Sequence, residues 1–207
     1  NLGGYLQQDL TRLKAFGRMM AQQGYIAVAV SWWDLVDESY EESMARLKHR
    51  FPDSTGLGKT IWDTARVVDY LYAHPEVDKK HIGCIGHCMA GITTIYSAAF
   101  EERIARLVAF DIFIYDQHGS GLQGALYRLF LRHPGLYDWI ARTSMRLSVS
   151  ADHVINQWMY ITGTSTPAEW IRLLEHYSVS DIASQIRQDV LLLAGAEDHM
   201  IPFKEYD

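Results

Sequence analysis

Apolar positions recur at helical spacing in two stretches of the N-terminal half of the chain. Within residues 6–23 they stand three or four positions apart, and Gly24 occupies the place of a helix C-cap. A second series repeats that spacing and ends at His74, before a proline: Ile61, Ala65, Val68 and Leu71. The pattern predicts two amphipathic helices. The acidic run between them, residues 34–42, is interpreted as solvated surface.

Continuous apolar runs without helical spacing predict buried strands. They are YIAVAVSWW (25–33), HIGCIGH (81–87), ARLVAFDIF (105–113) and DVLLLAGAEDH (189–199). The segment MAGITTIYSAAF (89–100) is predicted to be a helix. Helices that alternate with fully apolar strands are typical of a mostly parallel sheet with helices on both faces. The predicted fold class is therefore α/β.

The alternation stops between residues 114 and 186, where the sequence predicts several helices. They lie in GALYRLFLRH (124–133), LYDWIARTSMRL (136–147), SADHVINQWMYI (150–161) and PAEWIRLLEHY (167–177). We interpret residues 114–186 as a helical cap inserted into a core of residues 1–113 and 187–207. Its dense aromatic residues are expected first to form the cap's own core, and the alternative is that some of them line a roof over Cys88.

Charge and cysteine content exclude several classes of protein. The net charge is −6 with a pI near 5.8, and Lys and Arg form no cluster, so neither nucleic acid nor a membrane is an expected partner. No apolar run is long enough to span a bilayer. Two cysteines rule out a disulfide framework and fit a reducing compartment, so a cytoplasmic location is expected. The sequence leaves a homodimer open.

The turn after the second predicted strand carries the candidate chemistry. In GHCMAG (86–91), Cys88 stands between strand and helix, with the small residues Gly86, Ala90 and Gly91 around it. A turn of this kind presents a nucleophile on a strained backbone, and small neighbours let the chain double back. The helix N-terminus adds a positive dipole end, and the N–H of Met89 points where an oxyanion would form.

These segments, in this order, resemble the α/β-hydrolase superfamily and look closest to its dienelactone-hydrolase-like members, in which a cysteine nucleophile is known. The resemblance rests on RMMAQQGYIAVAVSWWD, TARVVDYLYAHPEVDKKHIGCIGHCMAG and VLLLAGAEDHMIP. It implies that Cys88 is the nucleophile of a catalytic triad and Asp198 its acid, with Asp111 as the alternative acid. It also implies an oxyanion loop in NLGGYLQQDL, with the N–H of Leu2 as a candidate second donor.

Three further residues are candidates for substrate binding. Trp32 and Trp33 follow a predicted strand at the end where such sheets bind ligands, and one of them is expected to form a pocket wall. His87 precedes the nucleophile and is expected to face away from it, into packing or a hydrogen bond.

A metal site in the run from His81 to Cys88 is rejected. Strand side chains alternate between faces, and this run spans about 20 Å, so its Cys and His groups cannot converge on one ion. We expect no metal and no cofactor.

The sequence offers no convincing general base among its nine histidines. His199 adjoins Asp198, and neighbouring side chains of an extended segment point apart. His118 and His153 border the predicted cap and are outside candidates. In the resembling family the base follows the acid by a helix and a strand, so we expect it beyond residue 207 and expect this chain to be a fragment.

The expected function is hydrolysis of an ester, lactone or related carbonyl compound through a cysteine acyl-enzyme, with an apolar or aromatic small-molecule acyl substrate. Two alternatives stay open. One is an acyltransferase or polymerase of the same fold, since EDHMIP also resembles the acid motif of polyhydroxyalkanoate synthases, which use a thiol nucleophile. The other is a non-catalytic binding protein that has kept the hydrolase fold.

Overall fold

The computed structural model describes residues 16–30, 39–110, 112, 121–173, 176–177 and 179–195. Within these residues the helices are 16–22 (α1), Tyr40–Arg50 (α2), Gly56–Ala73 (α3), Met89–Phe100 (α4), Gly121–Arg132 (α5), Pro134–Leu147 (α6), Val149–Thr162 (α7), Pro167–Leu173 (α8) and Ser180–Ala183 (α9). The strands are Gly83–His87 (β1), Arg106–Phe110 (β2) and Asp189–Leu193 (β3). Of the described helices, none combines the length and the apolar character needed to cross a bilayer.

The three strands form a parallel sheet in the order β1-β2-β3. Their register places His87, Phe110 and Leu193 side by side at the carboxyl ends. Helix α4 connects β1 to β2 and packs on both strands. This arrangement confirms the predicted α/β fold. The carboxyl ends of all three strands lie at one edge of the sheet, which is where folds of this kind bind ligands.

The face of the sheet beneath α4 holds the core. Leu107 is 1% exposed and Ala109 is fully buried on this face. On the opposite face, Ile85 and Leu191 are exposed in the described part of the chain. The α4 side of the turn after β1 is therefore a closely packed environment.

One cluster of buried residues joins α4 to the helices that follow β2. It includes Leu57 of α3, Ile92 of α4, Ile161 of α7 and Ile171 of α8. Gly56, the first residue of α3, lies so close to the Tyr160 ring that a Cβ there would overlap it. The four helices predicted in residues 114–186 are present as α5 to α8. Their assignment to a separate cap domain stays a prediction. The same buried cluster includes residues of the predicted cap and residues of the predicted core.

Helix α2 was not predicted, although its sequence carries a start signal. Ser39 and Glu42 form a capping box, in which the Glu42 amide donates to Ser39 Oγ at 3.2 Å and the Ser39 amide donates to Glu42 Oε2 at 2.9 Å. Ser43 and Leu47 are buried on its inner face. The acidic run itself is exposed at Glu41 and Glu42, as expected of a solvated surface, and the face of α2 that packs on the core begins after it, at Ser43.

The first predicted helix ends where Gly24 indicated, since Gly24 adopts φ +89° and its amide donates to Ala21 O at 3.0 Å. The strand predicted to follow this helix, in residues 25–33, is not found in the part of it that the structure describes. Residues 25–30 are exposed and form no strand among the described residues. An apolar run becomes a strand only where a neighbour completes its hydrogen bonds, and no described residue pairs with this one.

Candidate active site

Cys88 occupies a strained position at the end of β1. Its backbone has φ 54° and ψ −119°, and it is the only non-glycine residue with positive φ in the described part of the chain. Such a conformation costs about 1–3 kcal/mol and persists only where the surrounding structure enforces it. Cys88 is also the N-cap of α4, and its side chain makes no capping hydrogen bond. The thiol therefore lies at a strand-to-helix turn but does not cap the helix.

Two backbone hydrogen bonds hold this turn. The Cys88 amide donates to the Phe110 carbonyl of β2 at 2.9 Å, and the Ile92 amide donates to the Cys88 carbonyl at 3.1 Å. One bond belongs to the sheet side and the other to the first turn of α4. The residue that carries the thiol is thus fixed to both elements.

Glycine is required on each side of Cys88 because the strand and the helix approach closely. A Cβ at Gly86 would overlap the backbone carbonyl of Ala90 and lie 2.6 Å from Thr94 Oγ1. A Cβ at Gly91 would overlap the side chain of Ile112, which is fully buried. The small residues seen in the sequence are therefore a packing requirement of this turn.

Met89 is the first residue of α4 and is buried. First-turn amides have no carbonyl partner within their own helix, and the helix dipole makes this end electropositive. The first turn of α4 contains no acidic residue that would offset this potential. An oxyanion formed on a carbonyl attached to Cys88 would accept from the Met89 N–H in this environment.

The neighbours of Cys88 on β1 point to opposite faces, as strand geometry requires. His87 is exposed and stacks on Phe110, with ring centroids 4.9 Å apart. Cys84 lies under α4 with its Sγ 3.4 Å from Thr94 Oγ1, and burial raises the pKa of its thiol. Neither cysteine is in a disulfide. No group of three His, Cys, Asp or Glu within the described residues is arranged to hold a metal ion.

Of the candidate acids, oxyanion donors and pocket residues, and apart from the candidate base His118, five lie outside the described part of the chain: Leu2, Trp32, Trp33, Asp111 and Asp198. In sequence, Asp111 comes directly after the last residue of β2, and Asp198 follows the end of β3. Both strands end at the edge of the sheet where Cys88 stands. The roles of these five residues stay predictions.

Two described histidines are held by contacts within turns. His81 Nδ1 lies 2.7 Å from Asp78 Oδ2 in the turn that precedes β1, at the sheet edge opposite to Cys88. The carboxylate of Asp78 has a lowered pKa because of this contact. His74 Nδ1 accepts from the Glu76 amide at 3.3 Å, just after α3. Both rings have local partners far from the carboxyl edge of the sheet.

Sequence reasoning missed Thr94. Its hydroxyl contacts both arms of the turn, which are the strand β1 and the first turn of helix α4. Its Oγ1 donates to the Ala90 carbonyl at 2.8 Å and faces Cys84 on β1. The available signal was a pair of threonines inside a helix of otherwise small and apolar residues. Threonine is a weak helix former, and its presence there indicates a local hydrogen bond to the helix backbone.

A parallel strand that ends in a positive-φ residue and runs directly into a helix packed back on it has the backbone geometry of the strand-to-helix turn of α/β-hydrolases. With the parallel sheet, it defines the protein as one of the α/β-hydrolase class. The chain belongs to the dienelactone hydrolase family, whose model matches residues 6–117, more than half of the chain.

Two individual proteins are also similar. "Putative hydrolase YtaP" of Bacillus subtilis (strain 168) is 25% identical over 97 residues, which are 46% of this chain and 32% of that protein. The chain thus spans about a third of the length of this curated relative. The crystal structure of hypothetical protein PA2218 from Pseudomonas aeruginosa aligns over 82% of this chain and 67% of that chain, with 14% identity and a TM-score of 0.31.

Proposed function

We propose that this chain carries the nucleophile of a hydrolase that cleaves an ester, lactone or related carbonyl compound through an acyl-enzyme on Cys88. The observation that supports it most directly is the backbone of Cys88, strained at φ 54° at the start of α4. Strain of this kind is kept at functional sites, and the family to which the chain belongs consists of hydrolases. A buried structural cysteine would need neither the strain nor the glycines around it.

In this proposal the Cys88 thiolate attacks the carbonyl carbon of the substrate. A C–S bond forms, and the electron pair of the carbonyl moves to its oxygen, where the Met89 N–H stabilises it. The Leu2 N–H is the proposed second donor. Collapse of this intermediate breaks the bond to the leaving oxygen, which takes a proton and departs as an alcohol. The product at this stage is a thioester on Cys88.

Hydrolysis of the thioester also needs a base that activates water, and a histidine is the group we propose for this role. We assign Asp198 as the acid that orients this base. Parallel strands lie about 4.8 Å apart, so β3 is about 10 Å from β1 and leaves room for an imidazole between acid and thiol. Asp111 follows β2, the direct neighbour of β1, and is the alternative acid.

The proposed substrate is a small acyl compound with an apolar or aromatic group. Trp32 or Trp33 would form a wall of its pocket, and the exposed His87 ring would border it. Two aromatic residues after β2, Trp158 and Trp170, serve a different purpose, because their rings stack inside the core with centroids 5.9 Å apart. We further propose a cytoplasmic location. Whether the chain forms a homodimer is a separate question, to be answered by measuring its oligomeric state.

The test compares the protein with its Cys88→Ala and Cys84→Ala variants on short and long p-nitrophenyl esters and on CoA thioesters. We expect a burst of p-nitrophenol and an acyl mass increase on the Cys88 peptide. Both should be lost in Cys88→Ala, whereas Cys84→Ala should still form the adduct on Cys88, at a reduced rate. Acyl groups that appear on an added thiol instead of in water would favour the acyltransferase. Equal activity in Cys88→Ala, or no adduct on any substrate, would contradict the mechanism.

A further inference from the structure

Thr94 connects the two arms of the turn that presents Cys88. It lies one helical turn after Ala90 in α4 and is 2% exposed. Its hydroxyl donates to the Ala90 carbonyl at 2.8 Å, and its Oγ1 lies 3.4 Å from Cys84 Sγ on β1. A threonine has one O–H to donate, so the Cys84 S–H is the donor in the second contact. The chain of hydrogen bonds runs from the strand, through Thr94, to the helix.

The closest approach of strand and helix lies at the same point. A Cβ on Gly86 would overlap the Ala90 carbonyl and stand 2.6 Å from Thr94 Oγ1. The Thr94 hydroxyl therefore fills the space directly behind the turn, between Gly86 and Ala90. This space has no room for even a methyl group on residue 86.

We propose that Thr94 is a positioning residue that clamps β1 to the first turn of α4 and so keeps the Cys88 thiol in its reactive position. The inference rests on the proposed role of Cys88 as nucleophile. Cys88 keeps its positive φ only while both arms are held, because relaxation of either arm lets the backbone return to a common conformation. Thr94 is buried, contacts both arms and carries the hydrogen bonds that join them.

Thr93 provides a matched control in the same helical turn. Its Oγ1 donates to the Met89 carbonyl at 3.2 Å, which is the same type of bond to the residue four positions earlier. Its hydroxyl faces Thr60 of α3, at 3.5 Å between the two Oγ1 atoms, on the side of α4 away from the Thr94–Cys84 contact. It is 8% exposed, so it is buried as well. Thr93→Val removes a threonine hydrogen bond from α4 while leaving the strand contact intact.

The experiment compares Thr94→Val, Thr94→Ser and Thr93→Val in two assays. The first measures kcat and KM for p-nitrophenyl acetate. The second measures the rate at which iodoacetamide alkylates Cys88, followed by mass mapping of its peptide. In alkylation the sulfur displaces iodide from the reagent carbon, so this assay reports the thiol position even if no ester is hydrolysed. Failure of the clamp and failure of the proposed function are therefore distinguishable.

We expect Thr94→Val to lower kcat and the Cys88 alkylation rate about 10-fold with KM unchanged, since small displacements of a catalytic group have effects of this order. Thr94→Ser keeps the hydroxyl and should stay within about 2-fold of the wild type, as should Thr93→Val. Wild-type rates in Thr94→Val would overturn the proposal. So would equal losses in both valine variants, or a loss in Thr94→Ser as large as in Thr94→Val.

A second variant covers the case in which Thr94→Val does not fold. Cys84→Ala removes the strand partner of Thr94 and leaves the threonine in place. We expect a loss of about 3-fold in the alkylation rate of Cys88, since one of the two contacts is kept. An unchanged rate in Cys84→Ala would overturn the clamp.

Discussion

The backbone amide of Cys88 donates a 2.9 Å hydrogen bond to the carbonyl oxygen of Phe110. This bond carries the β1–β2 pairing one residue beyond the end of β1, into the turn itself. The strained residue is therefore anchored to β2, whose Leu107 and Ala109 are buried beneath α4. Because the anchor is part of the core, the strain at Cys88 is maintained by the stability of the whole sheet.

The first prediction concerns that strain. Glycine adopts positive φ without a steric penalty, whereas alanine does not. We expect Cys88→Gly to have a free energy of unfolding about 1 kcal/mol higher than Cys88→Ala, because relief of strain exceeds the entropy cost of glycine. Urea denaturation of both variants measures the difference. A Cys88→Ala variant that is as stable as Cys88→Gly would show that the turn is not strained.

The second prediction concerns the close approach behind the turn. In Gly86→Ala the new Cβ meets the backbone of Ala90, which cannot rotate away. We expect a loss of about 3 kcal/mol in the free energy of unfolding, at the upper end of the range for overpacking. Gly135→Ala in the first turn of α6 is the control, because its Cβ would meet no atom within 4 Å. A small loss in Gly86→Ala, equal to that of the control, would contradict the packing described.

The third prediction concerns the pH dependence of stability. Arg103 donates to both carboxylate oxygens of Glu101, from Nε at 2.7 Å and from Nη2 at 2.6 Å, and these bonds lower the pKa of the Glu101 carboxyl. A carboxyl with a lowered folded-state pKa stabilises the fold above its unfolded value of about 4.3, and this stability is lost as the pH falls through the folded value. Stability should therefore decline on acidification below that point.

Glu101→Gln should lower the free energy of unfolding at pH 7 by about 1–2 kcal/mol, because a charge-assisted pair becomes a neutral one. It should also flatten the decline that sets in as the pH falls below about 4.3. Glu102→Gln, at the exposed neighbouring position, is the control and should keep the wild-type profile. Chemical denaturation at a series of pH values measures both effects, and a wild-type slope in Glu101→Gln would refute this origin of the pH dependence.

The fourth prediction concerns the start of α2. Ser39→Ala removes the side chain that accepts from the Glu42 amide. The expected loss is about 1 kcal/mol of unfolding free energy, the usual effect of removing a serine N-cap. Thermal unfolding compares it with Ser150→Ala, an exposed serine in α7. Equal melting temperatures for the two variants would mean that the cap does not contribute.

Local patterns predicted the elements that local interactions determine. The helix predicted from MAGITTIYSAAF is α4 with the same limits, Met89 to Phe100, because small residues after a glycine-rich turn leave few other conformations. Helix α2 was overlooked although its capping box was visible in the sequence. Residues 25–30 were predicted as a strand from their apolar character alone, and a strand also depends on a partner.

By itself, the sequence determined the α/β order of elements, the position of the candidate nucleophile and the small residues around it, because these follow from periodicity and from the steric demands of a tight turn. Only the tertiary structure decided the register of the sheet, the bond from Cys88 to Phe110 and the contact of Thr94 with Cys84. It also decided that α7 packs on α3 in one shared core. Such contacts join residues far apart in the chain, and they depend on how the elements are placed in space, which no local pattern encodes.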